Sequence, residues 1–296
     1  MSIEKIRRGI TRPETVLRKI RLTLVRPFTP PTADEIDFMN EDWDILVVLD
    51  ACRYDLLADR DPFNVPVQRV QSNASQTREY IKNNFLNKDY RDTVYVTASP
   101  QFADFDLNFA HIEHVWEDSW DDELRTVLPE AVTEAAIQAS SEYPDKRLIV
   151  HYMQPHYPFI GSTGQSIEDQ ATFVPNQKYA SVWERLAGSD ISEAVVREAY
   201  RENLDVVLPE VEKLRESVTG KMVVTSDHGN LYGRRVCWLP IHIYGHPARV
   251  HHPELTAVPW VEFPHDERRE INKSEQAAEE EEFEEVQERL SDLGYR

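Results

Sequence analysis

The sequence predicts an α/β fold: a three-layer sandwich with a mainly parallel central sheet and helices on both faces. Three observations predict it. Apolar runs such as Ile45-Leu46-Val47-Val48-Leu49 are bounded by polar residues and too short for helices, so they read as buried strands. Longer segments of helical period alternate with them, the pattern of a parallel sheet wrapped by helices. Two runs end in reactive side chains, the first in Asp50 and the second, Val223-Val224-Thr225-Ser226, in Asp227-His228-Gly229. In such sheets ligands bind beyond the carboxyl ends of the strands.

The elements follow in order. Residues 1–28 are basic, with Lys5, Arg7, Arg8, Arg12, Arg18, Lys19, Arg21 and Arg26 against Glu4 and Glu14. Val16, Ile20 and Leu24 recur at helical spacing, which predicts a basic amphipathic helix over 14–26, broken by Pro27 to Pro31. Such a helix suits either an anionic membrane surface or this protein's own acidic body. Strands are predicted at 44–50, 93–97, 112–116, 147–152, 221–226, 240–244 and 257–261, and helices at 76–86, 121–142 and 192–216. Ser192 is a good N-cap for the last, and Pro209 is placed to kink or end it. Residues 160–186 are weakly patterned and read as an irregular excursion, a lid near the site. After Glu279 to Glu282, Phe283, Val286, Leu290 and Leu293 form one stripe, with Gly294 as a stop; this helix is expected to dock on the body. The chain thus divides into a basic arm (1–42), a catalytic domain (43–265) and an acidic C-terminal helix (266–296).

Composition narrows the partners. The 296 residues carry 53 acidic and 33 basic side chains, a net charge of -20 and a pI near 4.9. Nucleic acid is excluded, because phosphate-backbone binding needs a basic surface. An acidic, solvated surface of this kind suits work at high salt. Cys52 and Cys237 form no Cys-x-x-Cys pair, so a thiolate zinc site is not expected and reduced thiols are the simpler reading. No apolar stretch is long enough to span a membrane and no secretory signal is evident, so a cytoplasmic location is expected, with residues 1–28 resting on the inner face of the membrane.

Five segments carry chemistry. Asp50 ends the first strand, where a carboxylate binds a divalent cation or simply makes a turn, with Arg53 and Asp55 just beyond. Gln71 to Ile81 opens a helix with small polar residues; Ser75 and Thr77 are candidate hydroxyl nucleophiles at an N-terminus that favours anions, and Ser75 with Glu79 nearby also reads as a cap. His151 ends a strand, and Pro155 and Pro158 flank His156, a placement that suits a metal ligand or a donor to a substrate oxyanion. Asp227 and His228 are able to share one metal if the chain turns at Gly229. His242, His246, His251 and His252 crowd one stretch, which suggests ligation.

These segments, in this order, resemble the sulfatase-like branch of the alkaline phosphatase superfamily. Leu49-Asp50-Ala51-Cys52-Arg53-Tyr54-Asp55 is similar to the branch's first metal motif, and Ser226-Asp227-His228-Gly229 to its late, more specific one. His151 to Phe159 resembles its Pro-His-x-Pro segment, His251 to Trp260 its last histidine before a Val-Pro strand, and Leu290 to Tyr295 its Leu-Gly-Tyr ending. The resemblance implies an alkaline phosphatase-like fold and one or two divalent cations (Zn, Mn, Mg or Ca). It implies that Asp50, Asp227 and His228 hold one metal with Thr77, the implied nucleophile, Ser75 being second choice. His151, His156 and His251 would form a second metal site or bind the substrate's anionic group, and His156 or Arg53 would stabilise developing charge. Two departures matter. The branch's paired aspartates become Asp50-Ala51, and nothing around Ser75, Thr77 or Cys52 matches the Cys-x-Pro-x-Arg setting of formylglycine sulfatases.

The function expected is therefore a metal-dependent hydrolase or transferase of phosphoric, less readily sulfuric, esters on a small molecule, glycan or lipid. Two alternatives stand beside it. One is a transferase that moves a charged head group onto a glycan or lipid. The other is a lapsed enzyme that keeps the fold as a binding scaffold, which Ala51 favours.

Overall fold

The computed structural model describes residues 13–167 and 181–272. The stripe from Phe283 to Leu293, and residues 168–180 of the excursion over 160–186, lie outside the described residues. In chain order the elements are α1 (Pro13–Val25), β1 (Ile45–Leu49), α2 (Tyr54–Arg60), β2 (Gln68–Gln71), α3 (Thr77–Asn84), β3 (Asp89–Thr97), β4 (Asn108–His114), β5 (Trp120–Asp121), β6 (Thr126–Val127), α4 (Pro129–Glu142), β7 (Arg147–Tyr152), α5 (Val182–Ala187), α6 (Glu193–Ser217), β8 (Met222–Thr225), β9 (Leu231–Arg235), β10 (His242–Gly245) and β11 (Ala257–Phe263).

Seven strands form the central sheet in the order β2-β11-β8-β1-β7-β3-β4. The run from β8 to β4 is parallel, and β11 is antiparallel to both its neighbours. β1 lies between β8 and β7, with Val48 opposite Thr225 on one side and His151 on the other. The order reverses there, so the carboxyl ends of β1, β7 and β8 open one crevice.

The strands are apolar throughout because both faces are covered. Ile45, Val47 and Leu49 face a core made with α4 and α6, through Val132, Ala136, Leu204, Val207 and Val211. Leu46, Val48, Ile149 and Val223 face the other core, with Tyr80 and Ile81 of α3 and Phe85 just after it. Alternation along the strands carries Asp50 and His151 toward that second face, on which α3 presents Thr77.

Four expectations are corrected. The helix expected from 121 begins at Pro129, where a missing N–H is harmless, and the preceding segment pairs β5 with β6. The strand expected over 112–116 stops at His114, and Val115 starts a helical turn. α6 runs on through Pro209, because Leu204, Val207, Leu208, Val211 and Leu214 bury its stripe. The segment over 240–244 lies outside the central sheet; β10 pairs with β9 in a two-stranded ribbon that brings its loop over the crevice. The strands β2 and β9 and the helix α2 carried no clear periodicity. α1 rests on this ribbon, with Leu22 and Val25 packed among Leu231, Val236, Ile243 and Val250.

Candidate metal centre

At the crevice, Asp50, Asp227 and His228 each offer a ligand atom, all within 4.8 Å of one another and all buried. His228 Nε2 lies 3.4 Å from Asp227 Oδ2 and 3.7 Å from Asp50 Oδ1. The Thr77 hydroxyl stands 3.3 Å from the same nitrogen. Asp50 and Asp227, 177 positions apart, are thus held together by strand ends, and the turn geometry explains how. Ala51 takes a left-handed backbone (φ 60°), which aims its N–H at Asp227 Oδ1, 2.9 Å away. The same oxygen accepts the His228 N–H at 2.9 Å. Gly229 is required by space rather than by a left-handed turn: a Cβ there would meet the Glu254 carbonyl oxygen at 2.7 Å.

The remaining oxygens, Asp50 Oδ1 and Asp227 Oδ2, are buried with no hydrogen-bond partner, as is His151 Nε2. Buried polar atoms are rarely left so unless an ion or water completes them. Burial raises the Asp50 carboxyl well above the usual range, and the Asp227 charge adds to the rise. Burial also acts to raise Asp227, but the His228 and His151 imidazoles and the Ala51 N–H outweigh it and hold that carboxyl below its usual value. Two facing carboxylates, an imidazole and a hydroxyl fit a divalent cation.

A row of imidazoles leads away from this cluster. His246 lies 4.9 Å, ring to ring, from both His228 and His156. Each has its Nδ1 proton committed to an oxygen. His228 donates to the Gly229 carbonyl (2.8 Å), His156 to the Tyr157 carbonyl (2.5 Å) and His246 to Asn230 Oδ1 (2.7 Å). In the neutral His156 and His246 rings this leaves the Nε2 lone pair bare, the tautomer that ligates metals or accepts a proton. Burial depresses His151 and His156 to about 4, and it holds His246 well below its usual value, with the neighbouring imidazoles adding to it. Behind the row, Asn230 donates to the Tyr200 hydroxyl (2.5 Å), which donates to the Ala51 carbonyl (2.6 Å).

Other expected site residues are placed elsewhere. The Ser75 hydroxyl is committed to Glu79 (2.6 Å) and the Pro247 carbonyl (3.0 Å), and ties α3 to the loop after β10. Arg53 is buried with its guanidinium bound to Asp55, Glu254 and the Asn230 carbonyl, so it anchors the segment after His228. His251 faces Glu35 at 3.4 Å and is not brought to the cluster. His246, Asn230 and Tyr200 were not singled out from sequence. The crowding of histidines over 242–252 pointed to His246 without separating it from its neighbours, and Tyr200 reads as one more core aromatic.

No family model and no curated relative matches the chain. Solved structures do. One is the integral membrane lipooligosaccharide phosphoethanolamine transferase A of Neisseria meningitidis, at 15% identity and TM-score 0.49, covering 75% of this chain and 47% of that one. A second is the C-terminal periplasmic domain of phosphoethanolamine transferase EptC from Campylobacter jejuni, at 15% identity and TM-score 0.41, covering 75% and 78%. A third is a 2-O GAG sulfatase, at 11% identity and TM-score 0.46, covering 77% and 65%. The chain thus spans about half of the first of these. The fold expected from the sequence, α/β with a mainly parallel central sheet, is the one observed. The expectation of a cytoplasmic location is overturned, since these neighbours include soluble domains described as periplasmic. Among the described residues no helix is long and apolar enough to cross a membrane.

Proposed function

We propose that the protein is a metal-dependent phosphoric-ester hydrolase or transferase with Thr77 as nucleophile. The observation that supports this is the Thr77 hydroxyl, set at the first turn of α3, 3.3 Å from His228 Nε2 and beside two unpartnered carboxylate oxygens. Asp50, Asp227 and His228, with Thr77, would hold the cation. It would supply Lewis-acid polarisation of the ester and a lowered pKa for the hydroxyl. Thr77 Oγ1 attacks phosphorus, and the bond to the leaving alkoxide breaks on the opposite side. The N-terminal amides of α3 face the transferred group with the positive end of the helix dipole. His246 and His156, neutral and with bare Nε2, accept a hydrogen bond from the water or acceptor hydroxyl that then displaces Thr77. Substrates of the glycan or lipid class, with head-group transfer among the reactions, fall within this reading.

The test is acid quenching during turnover of an aryl phosphate or phosphodiester with added manganese or zinc, then mass spectrometry of the Thr77 peptide. A phosphoryl group on Thr77, and turnover reduced at least 1,000-fold in Thr77→Ala (on the order of the loss expected of a nucleophile), are expected. Undiminished turnover in that variant removes Thr77 from the scheme. A lapsed scaffold is favoured by Ala51, whose side chain brings no carboxylate to the cluster. Absence of metal uptake at micromolar supply would select it.

A further inference from the structure

α1 is amphipathic twice over. Leu22 and Val25 point into the ribbon core and are buried. At 3.6 residues per turn, Val16, Leu17, Ile20 and Leu24 lie on the opposite side of the helix. All four are exposed, Ile20 by 52% and Leu24 by 50%. Lys19 and Arg21 border this face on its two sides. At the end of the helix Phe28 meets Trp238 edge to face, with ring centroids 5.8 Å apart. Trp238 sits at the tip of the β9–β10 ribbon and is 72% exposed, the most open of the large apolar side chains among the described residues. Its backbone is not loose, for Arg235 donates to the Trp238 and Leu239 carbonyls.

Val195 apart, the exposed large apolar side chains among the described residues are these six, Val16, Leu17, Ile20, Leu24, Phe28 and Trp238. A contiguous apolar face of this kind on an acidic protein marks an interaction surface. We propose that α1 and the Trp238 tip dock the protein on an anionic lipid bilayer, α1 lying in the interfacial plane. Apolar residues flanked by basic ones, with a tryptophan at the edge, are the chemistry that such an interface selects. A second copy fits worse. Among the described residues it has no other large apolar face to offer, so a symmetric contact would bring Lys19 and Arg21 against their own copies. A body of net charge -20 is repelled by anionic lipid everywhere except at such a basic face.

Docking also sets the position of the site. Arg26 donates to the Ala248 carbonyl (3.1 Å) and the His251 N–H to the Thr29 carbonyl (3.3 Å). The loop that carries His246 is thereby tied to the end of α1. The inference does not rest on the metal chemistry, and the test separates the two. The full chain is floated with phosphatidylglycerol–phosphatidylcholine vesicles and with phosphatidylcholine alone. Expected are binding to the first, at least tenfold weaker partitioning to the second, and a blue shift of tryptophan emission that Trp238→Phe abolishes. The surface double variant Ile20→Ser with Leu24→Ser is expected to lose about tenfold in partitioning, from the apolar area it no longer inserts. Asp227→Asn is expected to bind vesicles as the wild type does. A full chain that ignores anionic vesicles overturns the proposal. So does a double variant that binds undiminished, or a concentration-dependent dimer that the double variant abolishes in place of any lipid binding.

Discussion

Replacing Asp227 by Asn should leave the metal-free protein nearly as stable and remove the stabilisation that metal brings. Asp227 Oδ1 accepts two backbone N–H bonds, which the asparagine carbonyl oxygen keeps. Only Oδ2, the unpartnered oxygen facing the cluster, becomes an NH2. Without metal, two buried carboxyls within 4.8 Å of one another repel. At an effective dielectric of about 20 that repulsion reaches about 3.5 kcal/mol. Part of it is relieved by the raised Asp50 carboxyl, and substitution also gives up the Asp227 charge that its N–H donors favour. The two effects nearly cancel, so the variant in chelator is expected within about 1 kcal/mol of the wild type, about 2–4 °C in Tm. With metal at 100 times its Kd the wild type gains about 2.7 kcal/mol, and the variant, short of an anionic ligand, gains close to nothing. Calorimetry in chelator and in manganese or zinc reads both. A variant destabilised by about 2 kcal/mol or more in chelator, or one that keeps the metal-dependent rise, would refute the assignment of Asp227 to a cation site.

Further outcomes follow from the same geometry. Ser75→Ala should retain turnover within about threefold and lose about 1 kcal/mol of stability, since it breaks a tie to Glu79 and Pro247 rather than a reacting group; urea melts with parallel kinetics check it. His151 and His156 are buried neutral with folded pKa values near 4, below the unfolded 6.5, so their stability contribution is present above pH 6.5 and lost as pH falls toward 4. Each should contribute about 3 kcal/mol to that acid limb, and His156→Gln should flatten it measurably in pH-dependent melts. Asp50 runs the other way in metal-free protein: its raised pKa stabilises at low pH and the effect fades as pH rises through the folded value, so metal uptake near that value should release about one proton, measurable by calorimetry in buffers of different ionisation enthalpy. Asn230→Ala frees the His246 ring and should lower turnover about 10–100-fold with metal content unchanged by elemental analysis.

Much of this arrangement was legible in the chain because strand ends announce it. Asp50 and Asp227-His228 each follow an apolar run, and only a sheet that pairs β1 with β8 lets them meet. The choice between Ser75 and Thr77 was not legible in physical terms. Both are small hydroxyl residues at one helix start, and what separates their surroundings is where Glu79 and the Pro247 carbonyl fall. Arg53 looked like a free cation because its partner Glu254 lies 201 positions away. His246 was lost in a crowd of four histidines, since a two-stranded ribbon outside the main sheet decides which ring turns inward. The start of α4 was misread for a simpler reason: eight polar and mixed residues before Pro129 carry no period that distinguishes a hairpin from a helix.

The tautomer-locked histidines have a kinetic consequence. With the Nδ1 hydrogens turned away, the imidazole wall offers a visiting phosphate lone pairs and carboxylate oxygens, and the amides at the start of α3 are left to hold it alone. An ester dianion has little reason to enter before the cation does. Loading should therefore be compulsory in order, metal first and substrate second, with inorganic phosphate a poor inhibitor of the stripped protein and a good one of the charged protein.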